Sequence, residues 1–239
     1  MKRFYTDVAT GRETAGFTVL LDGRPVRTPA RQILLVPALP LAEAIAAEWR
    51  AQGEQIESHA MPLTGLATTA VDLMPARHGD ALEEAAAYAA TDLLCYRAAS
   101  PASLVRRQAD AWQPWLDWAE RQYDAKLEAV SGVMPATQSQ TALRALRAAV
   151  ERLDSWRLVG LHAATTLTGS LVLGLAIERG ALTGQAAFDV AMLDEQFQIS
   201  QWGEDAEQTA RHTRRRADLA AAGRFLALLQ VDPDETGTR

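Results

Sequence analysis

The sequence predicts an α+β protein, with a small β-rich α+β domain at residues 1–75 and a larger all-helical domain at residues 76–232. Three observations carry that reading. β-Branched and aromatic residues gather in the first 36 positions, in short runs parted by turn residues. From Ala76 to Leu229 the apolar residues recur at helical spacing. Ser100-Pro101, Gly132 to Pro135, Asp154-Ser155, Gly180 and Gly203 then cut that stretch into helix-sized lengths.

Taken in order, "RFYTDVA" and "GFTVLLDGRPVRTP" read as strands. Asp22-Gly23 favours the positive-φ turn of a tight hairpin, placed over Phe17 to Arg27. "ILLVP" is a further short strand that Pro37 ends. Pro40 opens a helix in which Leu41, Ala44, Ile45, Glu48 and Trp49 fall at helical spacing, and Gly53 stops it. Nothing beyond "MPLTGLATTAVDLMP" reads as a strand. The helices expected there are Gly79–Ala90, Pro101–Tyr123, Gln138–Leu153, Trp156–Arg179, Thr183–Gln201 and Glu204–Leu229. Residues 233–239, "PDETGTR", have the composition of a disordered tail.

Composition excludes several classes. A net charge of -6 argues against a nucleic-acid binder, which needs a basic field. Cys95 stands alone, so no intrachain disulfide forms, and a reducing compartment, the cytoplasm, fits best. The start "MKRFYTDV" has neither the apolar core of a signal peptide nor a transit-like lead. Only Lys2 and Lys126 are lysine in an alanine-rich chain, a bias that suggests a GC-rich bacterial genome. Leu158 to Ile177 holds 20 residues without a charge, long enough to span a bilayer. Its polar members His162, Thr165, Thr166, Thr168 and Ser170 favour a buried helix instead, so no stable membrane insertion is expected.

No phosphate loop, dinucleotide fingerprint or metal-ligand spacing is present in the sequence. His59, His78, His162 and His212 are scattered, and His162 reads as a satisfied core histidine. Cys95, in "DLLCYRA", reads as a buried inert thiol. Trp112, Trp115 and Trp118 recur every three residues, which spreads them around a helix. Two are expected in the core and one at a rim or interface, against the alternative that all are scaffold. Pro114 either kinks that helix or marks its start.

Carboxylates carry the remaining interest. Asp194, Glu195, Glu204, Asp205 and Glu207 surround the Trp202-Gly203 break. Glu204 and Asp205 fall in the first turn of the following helix, where the macrodipole favours acids. Glu195 sits mid-helix beside Leu193 and Phe197, on a face shared with Trp202, and capping does not account for it. Arg211, Arg214, Arg215 and Arg216 can pair with Glu204 and Glu207 on a solvated face. An enzyme using Glu195 and Asp205, with Asp92 as a further acid, for general acid–base work stays open as the alternative to a binding surface.

"KRFY", "LDGRPVRTPA", "AEWRAQGEQI", "MPLTGLATTAVD", "ATDLLCYRA", "LTGSLVLGLA", "LDEQFQISQWGEDAE" and "RRRADLAAAGRFL" occur in that order. In these segments the chain resembles the assembly chaperones that bind the free alpha subunit of the ATP synthase catalytic head. The resemblance runs from Lys2 to about Leu229. It implies a two-domain chaperone without cofactor or turnover, in the bacterial cytoplasm or, for eukaryotic relatives, the mitochondrial matrix. It implies the alpha subunit as partner, handed on to the beta subunit, with the chaperone expected to be a monomer. The family's acid-rich helical segment matches "LDEQFQISQWGED", which nominates Glu195 for partner binding, followed by Asp194, Trp202, Glu204 and Asp205. The competing reading pairs Glu195 internally with Arg97 or Arg107.

Overall fold

The computed structural model describes residues 1–132, 137–203 and 205–230. Glu204 and the expected tail, Pro233 to Arg239, lie outside the described residues. The fold is α+β, with an N-terminal sheet and a mostly helical remainder.

Strands β1 (Val8–Glu13) and β2 (Gly16–Leu21) pair antiparallel, with Val8 opposite Leu21 and Glu13 opposite Gly16. Asp22 and Gly23, at φ 46° and 77°, form the turn into β3 (Arg24–Pro25). Both angles lie where a tight hairpin turn needs them. β4 (Leu35–Val36) pairs with the other end of β2. There a side chain on Gly16 would meet the Val36 carbonyl oxygen at 2.5 Å. The helix α1 (Leu39–Arg50) buries Leu41, Ile45 and Trp49 against this sheet. Its Glu48 carboxylate accepts from the Leu63 and Thr64 N–H groups at 2.8 Å each. Those donors would otherwise be orphans in the first turn of α2 (Pro62–Asp72).

The helical remainder comprises α3 (Met74–Ala87), α4 (Ala102–Tyr123), α5 (Gln140–Glu151), α6 (Ser155–Thr168), α7 (Leu171–Glu178), α8 (Gly184–Ala191), α9 (Leu193–Trp202) and α10 (Ala206–Leu228). Every residue of α7 is buried. Two apolar clusters result. The smaller joins the sheet, α1 and the first turns of α2 to Phe225 of α10, and the larger is made by the helices.

Four expectations are corrected. The stretch Trp156–Arg179 is two helices, because Gly169 turns left-handed (φ 70°) and Ser170 caps α7 by accepting from Leu173 N–H at 3.0 Å. No helix among the described residues is long and apolar enough to cross a membrane. Thr183–Gln201 likewise divides at Met192 into α8 and α9. Two short strands do follow the sheet: β5 (Tyr96–Arg97) and β6 (Val130–Ser131) pair in parallel. Only Trp112 of the three tryptophans is in the core; Trp115 and Trp118 are half-buried and meet edge-to-face at 6.3 Å. The three-residue step carries each indole further round α4, so its buried face holds one. Pro114 sits inside α4, which begins at Ala102.

Candidate functional site

Leu193 packs against the helical core and Phe197 is buried, so α9 is anchored by one narrow face. Successive residues on a helix stand 100° apart, so Asp194 and Glu195 leave that face toward different neighbours. Asp194 turns to α4, where its Oδ1 accepts from Gln108 Nε2 at 2.7 Å. Gln108 is fully buried, and its Oε1 accepts from Ala98 N–H at 2.7 Å. The Gln108 carbonyl takes a hydrogen bond from Arg97 Nη1 at 2.7 Å. Asp194 therefore closes a polar chain that fastens α9 to α4.

Glu195 turns to α10. Its Oε2 lies 2.6 Å from His212 Nε2, and its Oε1 lies 3.7 Å from Arg215 Nη1. The expectation of Arg97 or Arg107 as partner is corrected: Arg97 serves Gln108, and Arg107 lies 5.6 Å over the Phe197 ring. The histidine side chain is 12% exposed and the glutamate 40%, so the pair is sealed on one side and open on the other. Phe188 meets the His212 ring edge-on at 6.1 Å. Arg215 donates to the Leu167 carbonyl at 2.7 Å, and Arg216 donates to Asp189 at 2.8 Å. Those two arginines hold α10 to its neighbours. Arg211 and Arg214 are exposed beside Leu167, Glu207 and Asp218 on a shallow depression of about 360 Å³.

Beyond Glu195 the corner opens. Trp202 is 80% exposed, and Gly203 (φ 85°) ends α9 immediately after it. Asp205 caps α10 by accepting from Gln208 N–H at 2.8 Å, the role its position implied. Thus Glu195, Trp202 and Asp205 share one open corner, while Asp194 faces the interior.

Outside the corner, burial pushes the Cys95 thiol up to about 12, which leaves it inert near neutrality. His162 is half-buried rather than in the core, because its Nε2 reaches out to Glu84 Oε2 at 3.0 Å. Among the described residues no three His, Cys, Asp or Glu side chains converge as metal ligands. Sequence reasoning missed His212 and Gln108. His212 had a signal, since it and Glu195 stand nearly equidistant from the Gly203 break, where two helices turning back bring equivalent turns together. A lone glutamine carries no such signal.

Comparisons with known proteins bear on the family and the fold. The profile of the ATP12 chaperone protein family matches residues 2–120. The mitochondrial protein atp12 of Schizosaccharomyces pombe is 25% identical over 221 residues, covering 87% of this chain and 76% of that one. The crystal structure of Atp12 from Paracoccus denitrificans superposes with a TM-score of 0.90 at 41% identity, covering 96% and 98% of the two chains. A crystal structure from Agrobacterium tumefaciens gives 0.91 at 40% identity, covering 96% and 86%.

Proposed function

The chain belongs to the ATP12 chaperone family, and from that premise we propose that it binds the unassembled alpha subunit of the ATP synthase catalytic head. Membership supports a role as an ATP synthase assembly chaperone. In our reading it keeps the free subunit from aggregating and passes it to the beta subunit. An unassembled subunit exposes apolar surface meant for its neighbours, and such surface aggregates. A chaperone covering that surface favours the soluble form by mass action, and a competitor for overlapping surface then displaces it. No turnover is needed, and we assign none. The protein acts as a monomer in the bacterial cytoplasm.

One observation carries the reading to a site: an 80% exposed tryptophan beside a half-exposed carboxylate, both on a helix tied down behind them. Tryptophan is the residue most enriched among interface anchors. Glu195 is held in place by His212 and Arg215 yet keeps an open side for an arginine of the client. Losing one member of such a desolvated pair costs about 2–5 kcal/mol of binding. Asp205 and Glu204 add acidic character, and Asp194 positions the helix.

Light scattering of the purified alpha subunit at an aggregating temperature tests this. Suppression near one-to-one stoichiometry without nucleotide, reversed by beta subunit, is the expected result. No suppression by the folded protein would overturn it.

A further inference from the structure

We propose that the N-terminal part carries a second contact for the same client, a cleft that takes an acidic peptide segment bearing an apolar side chain. The inference rests on the chaperone reading above. The cleft encloses about 670 Å³ between the first residues of the chain and the β2–β3 hairpin, and Phe4, Leu21, Pro25, Val26 and Trp49 line it. Its first wall is fixed. Lys2 bridges to Gln55, Arg3 N–H donates to the Glu54 carbonyl at 2.9 Å, and Ile56 N–H donates to the Met1 carbonyl at 2.7 Å. Tyr5 is buried, and its hydroxyl donates to the Trp49 carbonyl at 2.8 Å.

That anchoring holds Phe4 on the rim, 65% exposed and edge-on to Tyr5 at 5.4 Å. An exposed aromatic on fixed backbone loses little entropy when a partner covers it. The polar groups define the occupant's charge. Asp22, the carboxylate among the lining residues, is spent on Thr6 N–H, Thr6 Oγ1 and Asp7 N–H at 3.1, 3.1 and 2.8 Å. Opposite stand Arg24 and Arg27, exposed on the hairpin. Arg27 uses one nitrogen on the Arg31 carbonyl at 2.9 Å; the charge of Arg24 acts on the Asp22 carboxylate, but no hydrogen bond engages the Arg24 guanidinium among the described residues. The unspent side-chain groups are therefore donors beside an apolar floor, which is complementary to a carboxylate next to an apolar side chain. A nucleic-acid phosphate would meet the same donors, but a chain of charge -6 opposes a polyanion.

The test titrates unassembled alpha subunit into the full-length protein by calorimetry, comparing wild type with the double variant R24E/R27E and with Phe4→Ser. All three positions are exposed, so equal melting temperatures are expected and serve as the folding control. Each variant should raise Kd roughly tenfold or more. The effect of R24E/R27E should shrink at high salt and that of Phe4→Ser should not. Tight binding by wild type with both variants within about twofold overturns the cleft and leaves the chaperone reading intact. Absence of binding by wild type removes both.

Discussion

Asp92 shows how a single buried residue sets the response to pH. It is fully buried against the start of α7, accepting from Leu94 N–H and Val172 N–H at 3.1 Å each. Burial pushes its carboxyl up to about 6, against the pull of those N–H donors and the Ser170 hydroxyl. A folded value above the unfolded one means that the native state binds more proton between pH 4 and 6. Its contribution is therefore most favourable at low pH and is lost as pH rises through about 6. Asp92→Asn removes that titration, so wild type should lose about 2 kcal/mol relative to the variant between pH 4 and 7. Urea midpoints across that range read it out, and a constant difference would mean the carboxylate stays ionised throughout. Glu195 presents the opposite case. Being 40% exposed, its pairing with His212 and Arg215 is screened and contributes less than about 1 kcal/mol. Glu195→Gln should thus melt within a few degrees of wild type, on the order expected for such a small loss, while binding of alpha subunit weakens at least tenfold. Equal loss of both would assign Glu195 to the fold instead. The sequence marked Glu195 as an acid in mid-helix beside Leu193 and Phe197, but the division at Met192 puts it in the first turn of α9, where the macrodipole favours acids, and distant partners such as His212 lie beyond local pattern.

At the scale of elements, close approach between helices depends on glycine. A side chain on Gly184 of α8 would meet the Leu219 carbonyl oxygen of α10 at 2.2 Å, and one on Gly223 would meet Gly184 N at 2.9 Å. Backbone cannot yield as a side chain does, so Gly184→Ala should cost about 3 kcal/mol or more. Gly65 in α2 is the control, since a side chain there meets nothing within 4 Å. Gly65→Ala should stabilise by about 0.5–1 kcal/mol through helix propensity alone, and denaturation midpoints would separate the two. The same elements show which boundaries were legible. Asp22-Gly23, Gly180 and Gly203 announced their breaks through local chemistry, and the positive φ values at all four agree. Gly169 also turns left-handed, but it was concealed inside a continuous apolar run that satisfied a helical period. Met192 divides α8 from α9 with no breaker residue, and Phe188 and Phe197 are buried on either side of it. β5 and β6 are two residues each and carry no period to detect.

For the whole molecule, α10 contributes buried side chains to both cores and so helps to make one structure of them. Leu219, Ala222 and Leu226 enter the larger cluster, whereas Phe225 enters the smaller one and stacks on Trp156 at 6.3 Å. Leu226 also fills the space that a side chain on Gly160 would need, at 2.6 Å, so α6 and α10 are pressed together behind Phe225. The consequence concerns binding as much as stability. The open corner at Trp202 lies at the start of α10, and the cleft at Phe4 lies on the smaller cluster. A client held at both places must pull against the junction at Phe225. Phe225→Ala deletes a fully buried ring and should cost about 3–5 kcal/mol. Hydrogen exchange in rising urea distinguishes how that loss is felt. In wild type, amides of β1, β2 and α1 should lose protection together with those of α6 and α7, because opening either core strips one face of α10. In Phe225→Ala the sheet amides should exchange first, at a denaturant concentration where α7 remains protected. Simultaneous exchange in the variant would show that α2 and Trp156, which also touch both clusters, couple the cores without Phe225.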